Sequence, residues 1–181
     1  MSRLYLESPI PPFHTADGTA LATSVTLTDI SPAPQIVPSA VVLIEPGMEF
    51  EVNAYGEFSN TGTPTLLLGI YWGGVAGVAL AASTAVTTTT GAAAWPWQLY
   101  YRGRIRTVGT AGTIKGEGWL NLGTSLTAMA IRNIPETAAA RTATIDTTAG
   151  GAKTLTVGAQ WGTSSASNTV TCYDLSANIT N

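Results

Sequence analysis

The chain has 181 residues, of which 45% are hydrophobic and 10% are charged, and its formal net charge is −3. This composition is too apolar for a disordered chain, and too weakly and too negatively charged for a protein that binds nucleic acid by neutralising phosphates. A chain of this length is expected to form one domain around one core. Because so few charges are available for its surface, neighbouring subunits are expected to cover part of it.

Residue types that carry catalysis or bind metals are scarce. Cys172 is the only cysteine, which excludes an internal disulfide and a multi-cysteine metal site. His14 is the only histidine, and we expect it to be an exposed side chain and not part of a Ser-His-Asp or Cys-His site. We predict no enzyme activity, no metal and no cofactor. The first residues lack a secretory signal, so we expect synthesis in a cytoplasm.

Residues 1–18 are predicted to form an extended arm. They include Pro9, Pro11 and Pro12, whose fixed φ angles and missing amide protons disfavour both a helix and a central strand. We assign residues 19–181 to a single β-sandwich domain.

The domain is expected to begin with two strands joined by an irregular, proline-rich crossing. Over residues 19–29 the side chains alternate, with Leu21, Val25 and Leu27 on one face and mostly Thr or Ser on the other. The apolar run AVVLI at 40–44 lies between two prolines and predicts a short buried strand.

Two further segments alternate over their whole length. In EFEVNAYGEF (49–58) and WQLYYRGRIRT (97–107) nearly every second residue is apolar or glycine, which is the period of a strand and not of a helix. Additional strand-like segments, separated by turn-rich breaks, cover residues 113–122, 140–147, 153–161 and 167–175. About eight to ten short strands predict an all-β protein, namely a jelly-roll-like antiparallel β-sandwich.

The uncharged stretch LLLGIYWGGVAGVALAA, residues 66–82, raises the question of a membrane helix. Its glycines each cost a helix about 1 kcal/mol relative to alanine, and no Lys or Arg lies near either end to set an orientation in a membrane. Gly73 and Gly74 instead suit a two-residue turn between strands at 66–72 and 75–82. We therefore predict a buried hairpin and no membrane span.

A stripe of charged residues is predicted on one face of two strands. Arg102, Arg104 and Arg106 alternate on one segment, and Glu49 and Glu51 alternate on another. The arginines could bind phosphate, but pairing with the acidic stripe, across strands or across subunits, is the preferred interpretation. The two glutamates could also act as the acid and base of a glycosidase, a hypothesis that we rank last.

The five tryptophans have different expected places. Alternation puts Trp97 and Trp161 in the core. Trp72, Trp95 and Trp119 could lie in the core, anchor an interface, or offer a platform on which a sugar stacks. The sequence leaves these three possibilities open.

Three long segments of the chain resemble virion proteins of tailed bacteriophages, especially those that infect actinobacteria. They are residues 43–74 (LIEPGMEFEVNAYGEFSNTGTPTLLLGIYWGG), 95–118 (WPWQLYYRGRIRTVGTAGTIKGEG) and 142–175 (TATIDTTAGGAKTLTVGAQWGTSSASNTVTCYDL). The most specific pieces are SNTGTPTL at 59–66 and RTVGTAGT at 106–113. These proteins are jelly rolls described as capsid decoration, minor head or head-fibre proteins, and sometimes as tail proteins. The resemblance implies an oligomer, such as a homotrimer, on a phage particle, without a cofactor.

We therefore expect a capsid decoration subunit that is made in the host cytoplasm and binds the outside of a phage head. Its expected partners are its own copies and the major capsid protein, with no nucleic acid and no membrane. The residues expected at the subunit interface are Arg102, Arg104, Arg106, Glu49 and Glu51. The residues expected to contact the capsid lie in the arm and are Arg3, Leu4, Tyr5, Pro9, Pro11, Pro12 and Phe13. The alternative is a tail or fibre module that binds host-surface carbohydrate through an exposed tryptophan such as Trp119.

Overall fold

A computed structural model describes residues 7–9, 14–33, 44–148 and 153–180 of the chain. Within these ranges the regular structure consists of strands and one short 3-10 helix, Ala139–Arg141, and there is no α-helix. The strands are antiparallel and form two sheets packed against each other. The prediction of an all-β sandwich is therefore confirmed.

Within the described ranges, thirteen strands make up the two sheets. In chain order they are β1 (Glu7–Pro9), β2 (Leu21–Ala22), β3 (Thr28–Asp29), β4 (Glu49–Ser59), β5 (Thr65–Trp72), β6 (Val78–Ala82), β7 (Val86–Thr87), β8 (Trp95–Thr107), β9 (Gly112–Gly123), β10 (Met129–Ile134), β11 (Thr142–Ile145), β12 (Leu155–Trp161) and β13 (Thr169–Thr180). The large sheet contains β1, β2, β4, β8, β9, β10, β11 and β13, and the small sheet contains β3, β5, β6, β7 and β12.

The order of the strands is that of a jelly roll. The large sheet contains the sequence of neighbours β2-β13-β4-β8, and the small sheet contains β3-β12-β5-β6. The chain crosses between the sheets from β2 to β3, β3 to β4, β4 to β5, β7 to β8, β11 to β12 and β12 to β13, as two interlocked Greek keys require. Beyond β8 the large sheet continues into β9, whose other edge pairs with β10 and β11 placed end to end.

The alternation predicted for β4 and β8 sorts their side chains between the core and the solvent. Phe50, Val52, Phe58 and Trp97 are at most 1% exposed and pack between the sheets. Trp161, on β12, is also fully buried. The core thus forms where the inner faces of the two sheets meet, which leaves the other face of the large sheet open to solvent.

The uncharged stretch at 66–82 forms a hairpin, as predicted, but the two-residue turn is wrong, and the predicted burial on both faces holds for most of β5 and not for β6, where Ala79 is exposed. Strands β5 and β6 pair from Gly69–Ala82 to Trp72–Val78, and the connection covers residues 73–77. Gly73 and Gly74 both have positive φ angles, and Gly77 closes the loop by donating to the Gly74 carbonyl (2.9 Å). No helix in the described ranges has the length and apolarity needed to cross a membrane.

Other boundaries differ from the predictions. The single strand predicted over 19–29 is wrong, because the chain leaves the large sheet after β2 and joins the small sheet at β3. Thr23 takes a positive φ of 58° at this crossing, and Val25 is 47% exposed instead of sharing the buried face of Leu21. The strand predicted at 40–44 lies outside the described residues except for Ile44, which is buried.

Candidate functional site

The solvent-facing side chains of β4, β8 and β9 form one continuous surface, which we call the outer face. Facing residues of neighbouring antiparallel strands point to the same side, so the strand register arranges them in rows. One row contains Glu49, Arg104 and Lys115. Successive rows lie about 7 Å apart along the strands, because they are two residues apart. The outer face has a charged end and an aromatic end.

Glycines on the inner side of β9 allow this strand to present a large outward residue at every second position. Gly116 and Gly118 lie on the inner side, where Gly116 faces the Tyr101 hydroxyl and Gly118 faces the backbone of Tyr100 and Tyr101. A Cβ atom at Gly116 would be 2.5 Å from the Tyr101 hydroxyl oxygen, and one at Gly118 would be 1.8 Å from the backbone oxygen of Tyr100. The close approach of β8 and β9 therefore requires glycine at both positions.

The charged end of the outer face contains a pocket of about 340 Å³, which we call the basic pocket. Five cationic side chains line it: Arg102, Arg104, Arg106, Lys115 and Arg141. Two carboxylates, Glu49 and Glu117, also line it. Positive charges therefore exceed negative charges by three in this pocket.

Glu49 holds two of the arginines in place. One carboxylate oxygen accepts hydrogen bonds from Arg102 Nη2 (2.5 Å) and Nε (3.1 Å), and the other accepts a hydrogen bond from Arg104. The bonds from Arg102, supported by those from Arg104, keep the pKa of the Glu49 carboxyl below its ordinary value although burial opposes this. Glu49 therefore remains ionised at neutral pH and orients both guanidinium groups.

The other cations of the basic pocket are less completely paired. Arg106 and Lys115 form no ion pair with any described residue. Arg141 contacts Glu117 at 3.5 Å, but its Nε atom is buried and has no hydrogen-bond partner among the described residues. Arg106 and Lys115 can therefore donate hydrogen bonds to an anion that enters the pocket.

The aromatic end of the outer face, which we call the aromatic patch, combines rings with amide groups. The rings of Tyr100 and Trp119 are stacked, with centroids 4.1 Å apart and planes inclined by 22°. Asn53, Tyr55 and Gln98 border them around a shallow pocket of about 190 Å³. Trp119 is 41% exposed, so part of the indole is open to a ligand.

Tyr100 connects the two ends of the outer face. Its hydroxyl donates a hydrogen bond to Glu51 Oε1 (2.9 Å). Burial, together with this hydrogen bond, raises the pKa of Tyr100, so that the hydroxyl remains protonated and neutral. Glu51 in turn lies 3.8 Å from Arg102, which belongs to the basic pocket.

The residues predicted for the subunit interface lie together on the outer face. Glu49, Glu51, Arg102 and Arg104 form the cross-strand pairs that the sequence suggested as one of two possibilities. Arg106 is on the same face at the end of β8. The role of these residues between subunits stays a prediction.

Most residues predicted to contact a capsid lie outside the described residues; these are Arg3, Leu4, Tyr5, Pro11, Pro12 and Phe13. Pro9 belongs to β1, which pairs with the outer edge of β13 opposite Asn178. Gly18, the last residue of the predicted arm, packs against the sandwich and donates a hydrogen bond to the Cys172 carbonyl (2.7 Å). The capsid contact stays a prediction.

The geometry gives little support to an acid–base pair at Glu49 and Glu51. Glu49 is bound by two arginines, and Glu51 accepts the Tyr100 hydroxyl, so neither is placed as a protonated acid beside a free base. The described residues contain no group of three or more His, Cys, Asp or Glu side chains that could hold a metal ion.

His14 is not the exposed side chain that the sequence suggested. It is partly buried, and neither ring nitrogen reaches solvent or has a hydrogen-bond partner among the described residues. The prediction is wrong because the segment after the prolines folds back against the sandwich instead of extending from it, as the Gly18 bond to β13 shows.

Comparison with family models, with curated proteins and with solved structures gives no match. The functional interpretation of the chain therefore depends on its own residues and geometry and on the resemblance described in the sequence analysis.

Sequence reasoning missed several members of the site. Lys115, Glu117 and Arg141 were not assigned to it, and neither was the stacking of Trp119 on Tyr100. The alternation in 113–122 would have placed the first two on a single face, but the pairing of β9 with β8 was needed to bring that face beside the arginines. Arg141 was predicted to lie in the strand-like segment 140–147, but it ends the short 3-10 helix and β11 begins only at Thr142, so the sequence did not place it beside the arginines.

Proposed function

We propose that the protein is a structural subunit that associates with its own copies and decorates the outside of a tailed-phage head. The observation that carries the association is an exposed apolar edge of the large sheet. The place of assembly is supported by the resemblance of residues 43–74, 95–118 and 142–175 to phage virion proteins.

The exposed edge consists of β10 and the turn before it. Ile131 is 71% exposed, Leu126 69% and Met129 37%. The side of β10 away from β9 pairs with no described strand. Exposed edges with apolar side chains favour pairing with another chain, and β10 carries a single charge, Arg132, which forms an ion pair with Glu136. A second copy of this chain is the occupant that we propose for this edge.

Sedimentation velocity of the purified protein tests this association. We expect an oligomer for the unaltered chain and dissociation to monomers for Ile131→Asp, because the aspartate would be buried without a partner. Val25→Asp is the matched control, since Val25 is also exposed but lies in the crossing between β2 and β3. Equal sedimentation of both variants and the unaltered protein would contradict the proposed contact.

Antibody labelling of purified phage particles tests the place of assembly. Antibodies raised against the sandwich should label the head evenly. Labelling confined to the tail or fibres would contradict decoration of the head and support the alternative below.

The second candidate function is that of a tail or fibre module that binds host-surface carbohydrate. It is favoured by the aromatic patch, where the exposed indole of Trp119 lies beside the amides of Asn53 and Gln98. An aromatic ring can cover the apolar face of a sugar while amides exchange hydrogen bonds with its hydroxyl groups.

A glycan array tests this candidate. We expect the unaltered protein to retain at least one class of saccharide and Trp119→Ala to lose it. Val108→Ala is the control, because Val108 is 45% exposed but does not line the aromatic patch. Retention of glycans by the Trp119 variant at the unaltered level would contradict the assignment of the patch.

A further inference from the structure

We propose that the outer face binds an acidic oligosaccharide, with one sugar unit on the aromatic patch and the acid group of a nearby unit in the basic pocket. This inference rests on the second candidate function, and it adds the class of saccharide. The acid group is a sulfate, phosphate or carboxylate.

The distribution of charge is the first observation. The basic pocket contains five of the eight Lys and Arg residues of a chain whose net charge is −3. With two carboxylates in the pocket, the remainder of the chain carries six more negative than positive charges. An anion is therefore attracted to this one place and repelled elsewhere, which gives a defined orientation to an approaching ligand.

The second observation is that the pocket has oriented arginines and unused donors. Glu49 fixes Arg102 and Arg104, so that little side-chain entropy remains to be lost when a ligand binds. Arg106 and Lys115 have no ion pair among the described residues, and the buried Nε of Arg141 has no acceptor there. A tetrahedral or planar anion in the pocket can accept hydrogen bonds from Arg106 and Lys115.

The third observation is the spacing along the outer face. The row of Tyr100 and Trp119 is followed by the row of Arg102, and then by the row of Arg104 and Lys115. At two residues per row, the indole lies about 7 Å from the row of Arg102, which also contains Glu51 and Glu117, and about 13 Å from the row of Arg104 and Lys115. A ligand of a few linked sugar units can reach from one end of the face to the other.

The composition of the aromatic patch favours a saccharide over a nucleic acid. Sites for single-stranded nucleic acid stack successive bases on several aromatic side chains along a basic groove. Here the stacked pair of Tyr100 and Trp119 is bordered by the amides of Asn53 and Gln98. Amides of this kind match the hydroxyl groups of a sugar, and the basic pocket accommodates acid groups at one end only.

Isothermal titration calorimetry with three probes of similar length tests the proposal. The probes are a heparin-derived hexasaccharide, which carries sulfates and carboxylates, the neutral cellohexaose, and a hexathymidylate. We expect the heparin fragment to bind at least about tenfold more tightly than cellohexaose, and its affinity to fall as salt screens the pocket. Hexathymidylate should bind less tightly than the heparin fragment.

Variants connect the binding to the pocket. Lys115→Gln and Arg106→Gln should each weaken heparin-fragment binding by about three- to tenfold and leave cellohexaose binding unchanged. Lys153→Gln is the matched control, because it also removes one positive charge but lies outside the basic pocket. Trp119→Ala should weaken both saccharides. Circular dichroism of each variant verifies that it is folded.

The outcomes separate the inference from the function on which it rests. Equal binding of both saccharides would overturn the acidic class and leave saccharide binding standing. If neither saccharide binds, both the acidic class and saccharide binding itself are overturned. Hexathymidylate binding as tight as that of the heparin fragment would replace the saccharide by a nucleic acid, and an equal effect of Lys153→Gln would place the anion elsewhere.

Discussion

Replacing Gly118 by alanine should destabilise the fold and disturb the outer face. Gly118 lies in the middle of β9, opposite Tyr101 of β8 and next to Trp119. The new Cβ would lie 1.8 Å from the backbone oxygen of Tyr100. Because this oxygen belongs to the neighbouring strand, the two strands would have to separate, and no side chain can move aside to relieve the clash.

The direction of the change in stability shows whether the site of Gly118 is open or tightly packed. In a strand with open space, alanine is more stable than glycine by about 0.5–1 kcal/mol, because glycine loses more backbone entropy on folding. Overpacking of a tight site costs about 1–3 kcal/mol. For a chain of this size each kcal/mol changes the melting temperature by about 2–4 °C. We therefore expect Gly118→Ala to lower the melting temperature by about 2–12 °C.

Differential scanning calorimetry measures this change, and Glu117→Ala is the matched control. Glu117 is the adjacent residue, points outward with a side chain that is 71% exposed, and contacts Arg141 only at 3.5 Å. Its replacement should change the free energy of unfolding by less than about 0.5 kcal/mol. A melting temperature of Gly118→Ala equal to or above that of the unaltered protein would refute the close approach of β8 and β9.

Three further predictions concern Glu49 and the arm. Glu49→Gln should raise the affinity for the heparin fragment by about two- to tenfold, because the removal of a negative charge from the pocket outweighs the weaker hold on Arg102 and Arg104. The same change at the exposed Glu45, outside the pocket, should have little effect in the titration. The pKa of Glu49 is lower in the folded protein than its ordinary value of 4.5. Its ion pairs therefore stabilise the fold fully above pH 4.5, and this stabilisation is lost as the pH falls through the pKa of Glu49 in the folded protein. Melting temperatures measured below pH 4.5 should therefore fall less steeply for Glu49→Gln than for the unaltered protein. Deleting residues 1–13 removes β1 but leaves the Gly18 hydrogen bond in place. We therefore expect a folded oligomer that no longer co-sediments with phage heads. Co-sedimentation at the level of the unaltered protein would argue against the arm as the capsid contact.

Alternation along the chain was sufficient to predict most of the core. The long strands β4, β8 and β9 were found because each is buried on one side only. Apolar and polar residues therefore alternate along their sequences. Trp97 and Trp161 were correctly placed in the core for the same reason. Alternation identifies these strands, but it does not show in which order the jelly roll places them side by side.

The unpredicted features lie where burial does not alternate. Strand β10 was missed because all its residues except Ile134 are exposed, so no apolar period marks it. The break between β2 and β3 was missed because the chain changes sheets within an alternating segment. The basic pocket likewise depends on the register of β8 and β9, which places Lys115 and Glu117 beside the arginines that the alternation had already put on one face.

Two of the hypotheses assign different roles to Arg104, and one experiment distinguishes them. If the outer face is a subunit interface, Arg104→Glu should weaken association at low salt, and the heparin fragment should compete with the partner subunit and dissociate the oligomer. If the face binds the acidic saccharide and the subunits meet at β10, Arg104→Glu should abolish heparin binding while sedimentation stays unchanged with or without the fragment. Glu49 already satisfies Arg104 within the chain, so a partner subunit is not needed to neutralise it. We therefore expect the second outcome, and dissociation of the unaltered oligomer by the heparin fragment would refute it.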